Sequence, residues 1–154
     1  MSHDGAAPDS HRRIALSTEP PRTPEAVKAL WDGVAFAEGR DPEAVMRCLM
    51  GSNLVVTAWD GEQLVGTARV ITDGVCYATL WDVIVHPAYR GQGIGTALVE
   101  RAIAPFLGRG FSYIALFSVA GAEAFYERLG FQSHPRGMRL ADSRQPTPPG
   151  KAPE

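Results

Sequence analysis

Between Leu80 and Leu98 the chain reads L-W-D-V-I-V-H-P-A-Y-R-G-Q-G-I-G-T-A-L, an order of residue types that few folds accommodate. Leu80, Val83, Ile84 and Val85 make a short apolar run rich in β-branched side chains, and His86-Pro87 ends it because proline has no N–H to give a sheet ladder. After Arg90-Gly91-Gln92-Gly93-Ile94-Gly95-Thr96, the apolar residues Ile94, Leu98, Ala102 and Phe106 recur at helical spacing. The stretch is therefore strand, turn, glycine-rich loop and helix start. Backbone N–H groups at such a junction, with no Cβ atoms in the way and the positive end of a helix dipole behind them, suit an anion such as a diphosphate.

Two common phosphate loops do not fit these letters. The dinucleotide fingerprint G-x-G-x-x-G needs a third glycine where Thr96 stands. The P-loop needs Gly-Lys-Ser/Thr, and the chain has no lysine between Lys28 and Lys151.

The flanking sequence predicts what the junction is embedded in. Ile14–Ser17 suits a first strand. Thr23-Pro24 and Asp41-Pro42 each read as a helix start, followed by apolar stripes at Val27, Leu30, Trp31 and Val34 and at Val45, Cys48 and Leu49. Leu54–Trp59 and Leu64–Thr72 are strand-like runs joined by Asp60-Gly61, and Asp73-Gly74 turns the chain into the central strand, giving three consecutive antiparallel strands. The central helix should end near Leu107, with Pro105 cutting it short. Tyr113–Phe117 then follows as a strand parallel to its neighbour, because a helix crossover separates them. Gly121–Leu129 suits a short helix stopped by Gly130. Phe131–Leu140, with Pro135 and Gly137, suits two short edge strands. The domain is expected over residues 11–141. The polar start, 1–10, and the proline-rich end, 142–154, are expected to be disordered tails.

A chain of 154 residues suits one domain, and a net charge of -2 with scattered basic residues disfavours a nucleic-acid or membrane partner. Cys48 and Cys76 stand apart, with no C-x-x-C pair, and no histidines lie at ligand spacing. They read as reduced thiols in a cytoplasmic protein without a metal site.

Arg90, Gly93 and Gly95 form R-x-x-G-x-G after a strand ending V-H-P, and Phe125–Phe131 reads F-Y-E-R-L-G-F farther on. The pair, in this order and with a helix and a strand between, resembles the GCN5-related N-acetyltransferase (GNAT) family over about Leu54–Leu140. The resemblance implies an α+β fold: a mixed, mostly antiparallel sheet whose parallel pair splays at a cofactor cleft, flanked by helices, in the acyl-CoA N-acyltransferase manner. It implies transfer of an acetyl group from acetyl-CoA to a primary amine of a small molecule or peptide, by direct attack and without a metal, and a possible homodimer. The diphosphate would lie on Arg90, Gly91, Gln92, Gly93, Ile94, Gly95 and Thr96, and the pantetheine arm on the backbone of Ile84 and Val85. One of those two N–H groups would polarise the thioester carbonyl.

By the same resemblance Tyr126 would protonate the leaving thiolate. Val119 stands where many relatives carry an asparagine, which removes one hydrogen bond to the cofactor arm and weakens the likeness to protein N-terminal acetylating relatives. Asp82 is the candidate carboxylate for the acceptor amine, with a salt-bridged residue on the other strand face as the alternative. His86, His134, Arg136, Trp31 and Arg40 are further candidates around the acceptor mouth. A different acyl group, a protein amine, or a non-catalytic module that binds CoA thioesters are the rival readings.

Overall fold

Helix starts, tight turns and one crossover set the order of elements. The computed structural model describes residues 13–138, Phe36 excepted. Strand β1 (Ala15–Ser17) is followed by helices α1 (Pro24–Trp31) and α2 (Pro42–Met50), each opening on its proline. Asp41 caps α2 by accepting the Ala44 N–H at 3.0 Å, whereas Thr23 makes no side-chain cap on α1.

Strands β2 (Leu54–Asp60), β3 (Gln63–Thr72) and β4 (Tyr77–Val85) form the antiparallel meander. Gly61 turns the first hairpin at φ +59°, a conformation that its lack of a Cβ permits. At the second turn the Asp73 carboxylate accepts the N–H groups of Val75, Cys76 and Tyr77. These bonds, that of Tyr77 first, hold it ionised below its ordinary pKa.

Helix α3 (Ile94–Ile103) gives way to a 3₁₀ turn over Ala104–Phe106, where Pro105 ends the α-helical ladder. Strand β5 (Tyr113–Leu116) and helix α4 (Glu123–Arg128) follow, and the sheet order is β1-β2-β3-β4-β5 with only β4 and β5 parallel. One expectation fails: the described residues 131–138 contain no strand, so the predicted pair of edge strands is absent from them. Pro135 and Gly137 break up the ladder that a strand would need. Arg139 and Leu140, and both predicted tails, lie outside the described residues.

Each face of the sheet has its own core. Under α3 lie Val56, Ala58, Ala68, Val70, Ala78 and Leu80 with Leu98, Val99 and Ala102; under α1 and α2 lie Val55, Leu64 and Ile84 with Val27, Leu30 and Trp31. At Gly66 the side chain of Leu98 from α3 packs directly against the β3 backbone. A Cβ there would stand 2.8 Å from Leu98 Cδ1 and 3.2 Å from the Ile84 carbonyl oxygen. Gly66→Val should therefore lower the unfolding free energy by about 1–3 kcal/mol, as expected for overpacking. A denaturant midpoint equal to that of the wild type would show that α3 can move away without cost.

Candidate functional site

The parallel pair ends before β4 does. Its last paired residues are Leu80 and Leu116, and β4 runs on from Trp81 to Val85 along β3 alone. This open stretch also contains the sheet's one left-handed non-glycine residue among those described, Asp82 at φ +49°. The ladder slips here, from Arg69 opposite Trp81 to Thr67 opposite Ile84, so Asp82 and Val83 share the space opposite Ala68.

The bulge changes which side chains face which way. Ala78 and Leu80 point into the core beneath α3; beyond the extra residue Val83 and Val85 do so, and Ile84 is buried beneath α1 and α2. Trp81 and Asp82 both lie on the α1/α2 face. The Asp82 carboxylate takes a 2.5 Å hydrogen bond from Arg69 Nε, and Arg40 Nη1 stands 3.9 Å from its other oxygen. Arg69 also reaches Ser52 Oγ at 3.3 Å, and the Arg40 guanidinium lies 5.5 Å from the centre of the Trp31 ring. Three residues assigned separately to the acceptor side, Trp31, Arg40 and Asp82, thus come together, held by an arginine from β3 that sequence reasoning missed.

Backbone direction corrects one assignment. His86 donates its N–H to the Val65 carbonyl at 2.8 Å, and N–H groups of alternate residues in a strand point the same way, so Ile84 also turns its N–H toward β3. The amides that face the cleft belong to Val83 and Val85.

The glycine loop sits at the end of this open edge. A 3₁₀ turn over Pro87–Tyr89, capped by His86 Nδ1 accepting from the Ala88 N–H at 3.1 Å, carries the chain off the strand. His86 is thereby a turn residue, with its ring edge against Tyr89. Tyr89 is itself buried, and its hydroxyl donates to Asp60 Oδ2 at 2.7 Å. Arg90 gives its Nε to the Val85 carbonyl at 3.3 Å, pinning loop to strand. Gly91 and Gly93 adopt φ of +76° and +79°, and a Cβ on either would meet no atom within 4 Å. The loop thus has open space on its outer side, beside the first turn of α3, whose N–H groups have no acceptor within the helix. Gly95 serves a different purpose: its missing Cβ would lie 3.3 Å from Phe125 Cζ and 3.6 Å from Val85 Cγ2. This contact docks α4 on the start of α3.

Docking α4 brings Tyr126 to the α3 side of the sheet, where Val83, Val85 and Leu116 also pack. Its ring is set edge-on against Phe125 and Phe131, with centroids 4.9 and 5.9 Å away, and burial pushes the phenol above its ordinary pKa. Val119 is exposed in the turn before α4. His134 packs against Tyr113 near the start of β5, remote in the ladder from Asp82, and Arg136 lies in the strandless segment after α4. Among the described residues no group of histidine, cysteine and acidic side chains could hold a metal ion, and no helix is long and apolar enough to cross a membrane.

Comparison with known proteins agrees with this geometry. The chain is 42% identical over 78 residues to a histone acetyltransferase from Glycine max, covering 51% of this chain and 34% of the relative. It is 44% identical over 84 residues to a chloroplastic serotonin N-acetyltransferase 2 from Oryza sativa, covering 53% of this chain and 42% of the relative. The chain thus spans less than half the length of either. A probable acetyltransferase from meticillin-resistant Staphylococcus aureus superposes with a TM-score of 0.73 at 25% identity, covering 84% of this chain and all of that one. Residues 15–131 match the Acetyltransferase (GNAT) family, and with the five-stranded mixed sheet and its open parallel edge they make this chain a member of it.

Proposed function

We propose that the protein transfers the acetyl group of acetyl-CoA to the primary amine of a small molecule, by direct attack in a ternary complex. The observation that carries this reading is the open edge of β4 beyond Leu80, with cleft-facing amides and the glycine loop toward α3 and a carboxylate on the opposite face. Acetyl-CoA approaches from the α3 side. Its diphosphate lies on the amides from Gly91 to Thr96, and its pantetheine arm pairs with the cleft edge of Val83 and Val85. The Val83 or Val85 N–H polarises the carbonyl, a donor fixed in place before the reaction begins. The relatives named for serotonin and for histones both support an amine acceptor. The two free thiols, Cys48 and Cys76, support a reducing compartment such as the cytoplasm.

The acceptor comes from the α1/α2 side. A lysine-like amine with pKa near about 10.4 is almost wholly protonated at neutral pH, so it must lose a proton before it can attack. Asp82 holds the incoming ammonium through Oδ1, where the Arg40 guanidinium at 3.9 Å must give way to it, and passes the proton to water. The nitrogen lone pair then forms the C–N bond, the C–S bond breaks, the departing thiolate takes the Tyr126 proton, and the second proton released by the amide nitrogen returns through water to the Tyr126 phenolate. The raised pKa of Tyr126 keeps that proton on the phenol through the working range.

Acetyl-CoA should raise the melting temperature of the wild type. At a hundred times Kd the stabilisation is about 2.7 kcal/mol. Gly93→Asn should remove most of it, since asparagine tolerates the left-handed conformation but puts a side chain into the open space of the loop. An undiminished thermal shift would move the diphosphate elsewhere.

Tyr126→Phe should cut kcat by about tenfold to a thousandfold with cofactor affinity nearly unchanged. The same substitution should blunt alkaline unfolding. A phenol whose folded pKa is raised supports full stability below its unfolded value of about 10 and loses that support as pH climbs through the folded value. Wild-type turnover in this variant would leave Tyr126 as packing.

Asp82→Asn keeps a residue that accepts positive φ and removes the charge. It should depress turnover most below pH 8 and recover in part as free amine accumulates at alkaline pH. A pH profile superposable on the wild type would make Asp82 purely structural.

A further inference from the structure

A cation guards the Asp82 carboxylate. The Asp82 side chain is 9% exposed, with Arg69 on Oδ2 from the neighbouring strand, whereas the guanidinium near Oδ1, that of Arg40, belongs to a side chain 37% exposed. A molecule arriving from solvent on this face therefore meets Arg40 before it meets Asp82. The root of Arg40 is fixed: it precedes Asp41, the cap of α2, and its own N–H donates to the Ala37 carbonyl at 3.4 Å. Its guanidinium lies over the Trp31 ring, and Trp31 Nε1 is a buried donor with no hydrogen-bond partner among the described residues. Buried donors are almost always paired, so a leftover one in this corner calls for an oxygen.

A plain amine fits this corner poorly. Its ammonium has to push a guanidinium away from Oδ1, after which two cations stand side by side. A carboxylate a few bonds from the amine removes the conflict. The ammonium goes to Asp82, and the displaced guanidinium gives its planar fork of N–H donors to the carboxylate in charge-assisted hydrogen bonds.

We propose that Arg40 is a specificity residue for the acceptor and that the acceptor is an aminocarboxylate, a primary amine with a carboxylate a few bonds away. This rests on the reading of Asp82 as the ammonium site of an amine acetyltransferase and names the class of amine. Arg40 yields Oδ1 to the ammonium and takes the acceptor's carboxylate in exchange. An oxygen of that carboxylate, reached as the guanidinium moves off the ring, gives the Trp31 N–H the partner it lacks.

The test compares 3-aminopropanoate and 4-aminobutanoate with their amides, which keep the shape and remove the negative charge. Free thiol is followed at saturating acetyl-CoA. At the better of the two lengths the wild type should favour the acid in kcat/KM by about tenfold, the scale of a charge-assisted hydrogen bond. Arg40→Gln should bring that preference close to one with acetyl-CoA affinity unchanged, and Arg40→Lys should keep part of it. Arg40→Gln should also raise kcat/KM for the amides by about twofold to fivefold, because no cation then has to be displaced from a partly exposed ion pair. Equal kcat/KM for acid and amide at both lengths in the wild type, or an acid preference that survives Arg40→Gln, overturns the role of Arg40 and leaves amine acetylation standing. Thiol release with none of the four compounds nor with butylamine, from protein that binds acetyl-CoA, overturns amine acetylation and the aminocarboxylate together.

Discussion

The site depends on one ion pair across the β3–β4 ladder. A non-glycine residue at positive φ costs about 1–2 kcal/mol and persists only where its surroundings hold it. Asp82 is held twice, by Arg69 at its carboxylate and by Thr67, whose hydroxyl donates to the Asp82 carbonyl at 3.3 Å. Both partners come from β3, so the neighbouring strand imposes the bulge. From this follow the face shared by Trp81 and Asp82, the turn of Val83 and Val85 toward α3, and the amides left facing the cleft.

The two motifs that identified the family in the sequence are in physical contact. Gly95 from the first and Phe125 from the second meet where a Cβ would intrude, and Val85 closes the same contact from the strand. The loop's geometry and the position of Tyr126 therefore depend on each other through a packed interface. The contact also gives the glycines different duties. Gly91 and Gly93 are needed for their backbone angles and the open space outside them, Gly95 for how closely α4 can approach.

Much of this was legible in the residues because it is local. Asp-Gly turns, Asp41-Pro42 and Pro105 act within a few positions, and the meander, the second helix and the end of α3 were readable from them. The phase of β4 was not. Alternation could not say which face Asp82 takes, nor that Ile84 rather than Val83 turns its N–H to β3, because one inserted residue shifts every later side chain and its cause, Arg69, lies on another strand. The segment after α4 was over-read for the converse reason. Its apolar residues suggested strands, but a strand needs an unbroken ladder, and Pro135 and Gly137 interrupt it.

The proposed placement of the acetyl donor and the acceptor on opposite faces of a single sheet would separate two kinds of evolutionary pressure. On the proposed reading, residues on the α3 face must keep meeting a cosubstrate whose chemistry does not vary, whereas Asp82, Arg40 and their neighbours meet the acceptor. A lineage could exchange the second set freely, because a strand one residue thick insulates the first from the change. The same scaffold can then drift from one amine to another while its grip on the donor stays the same.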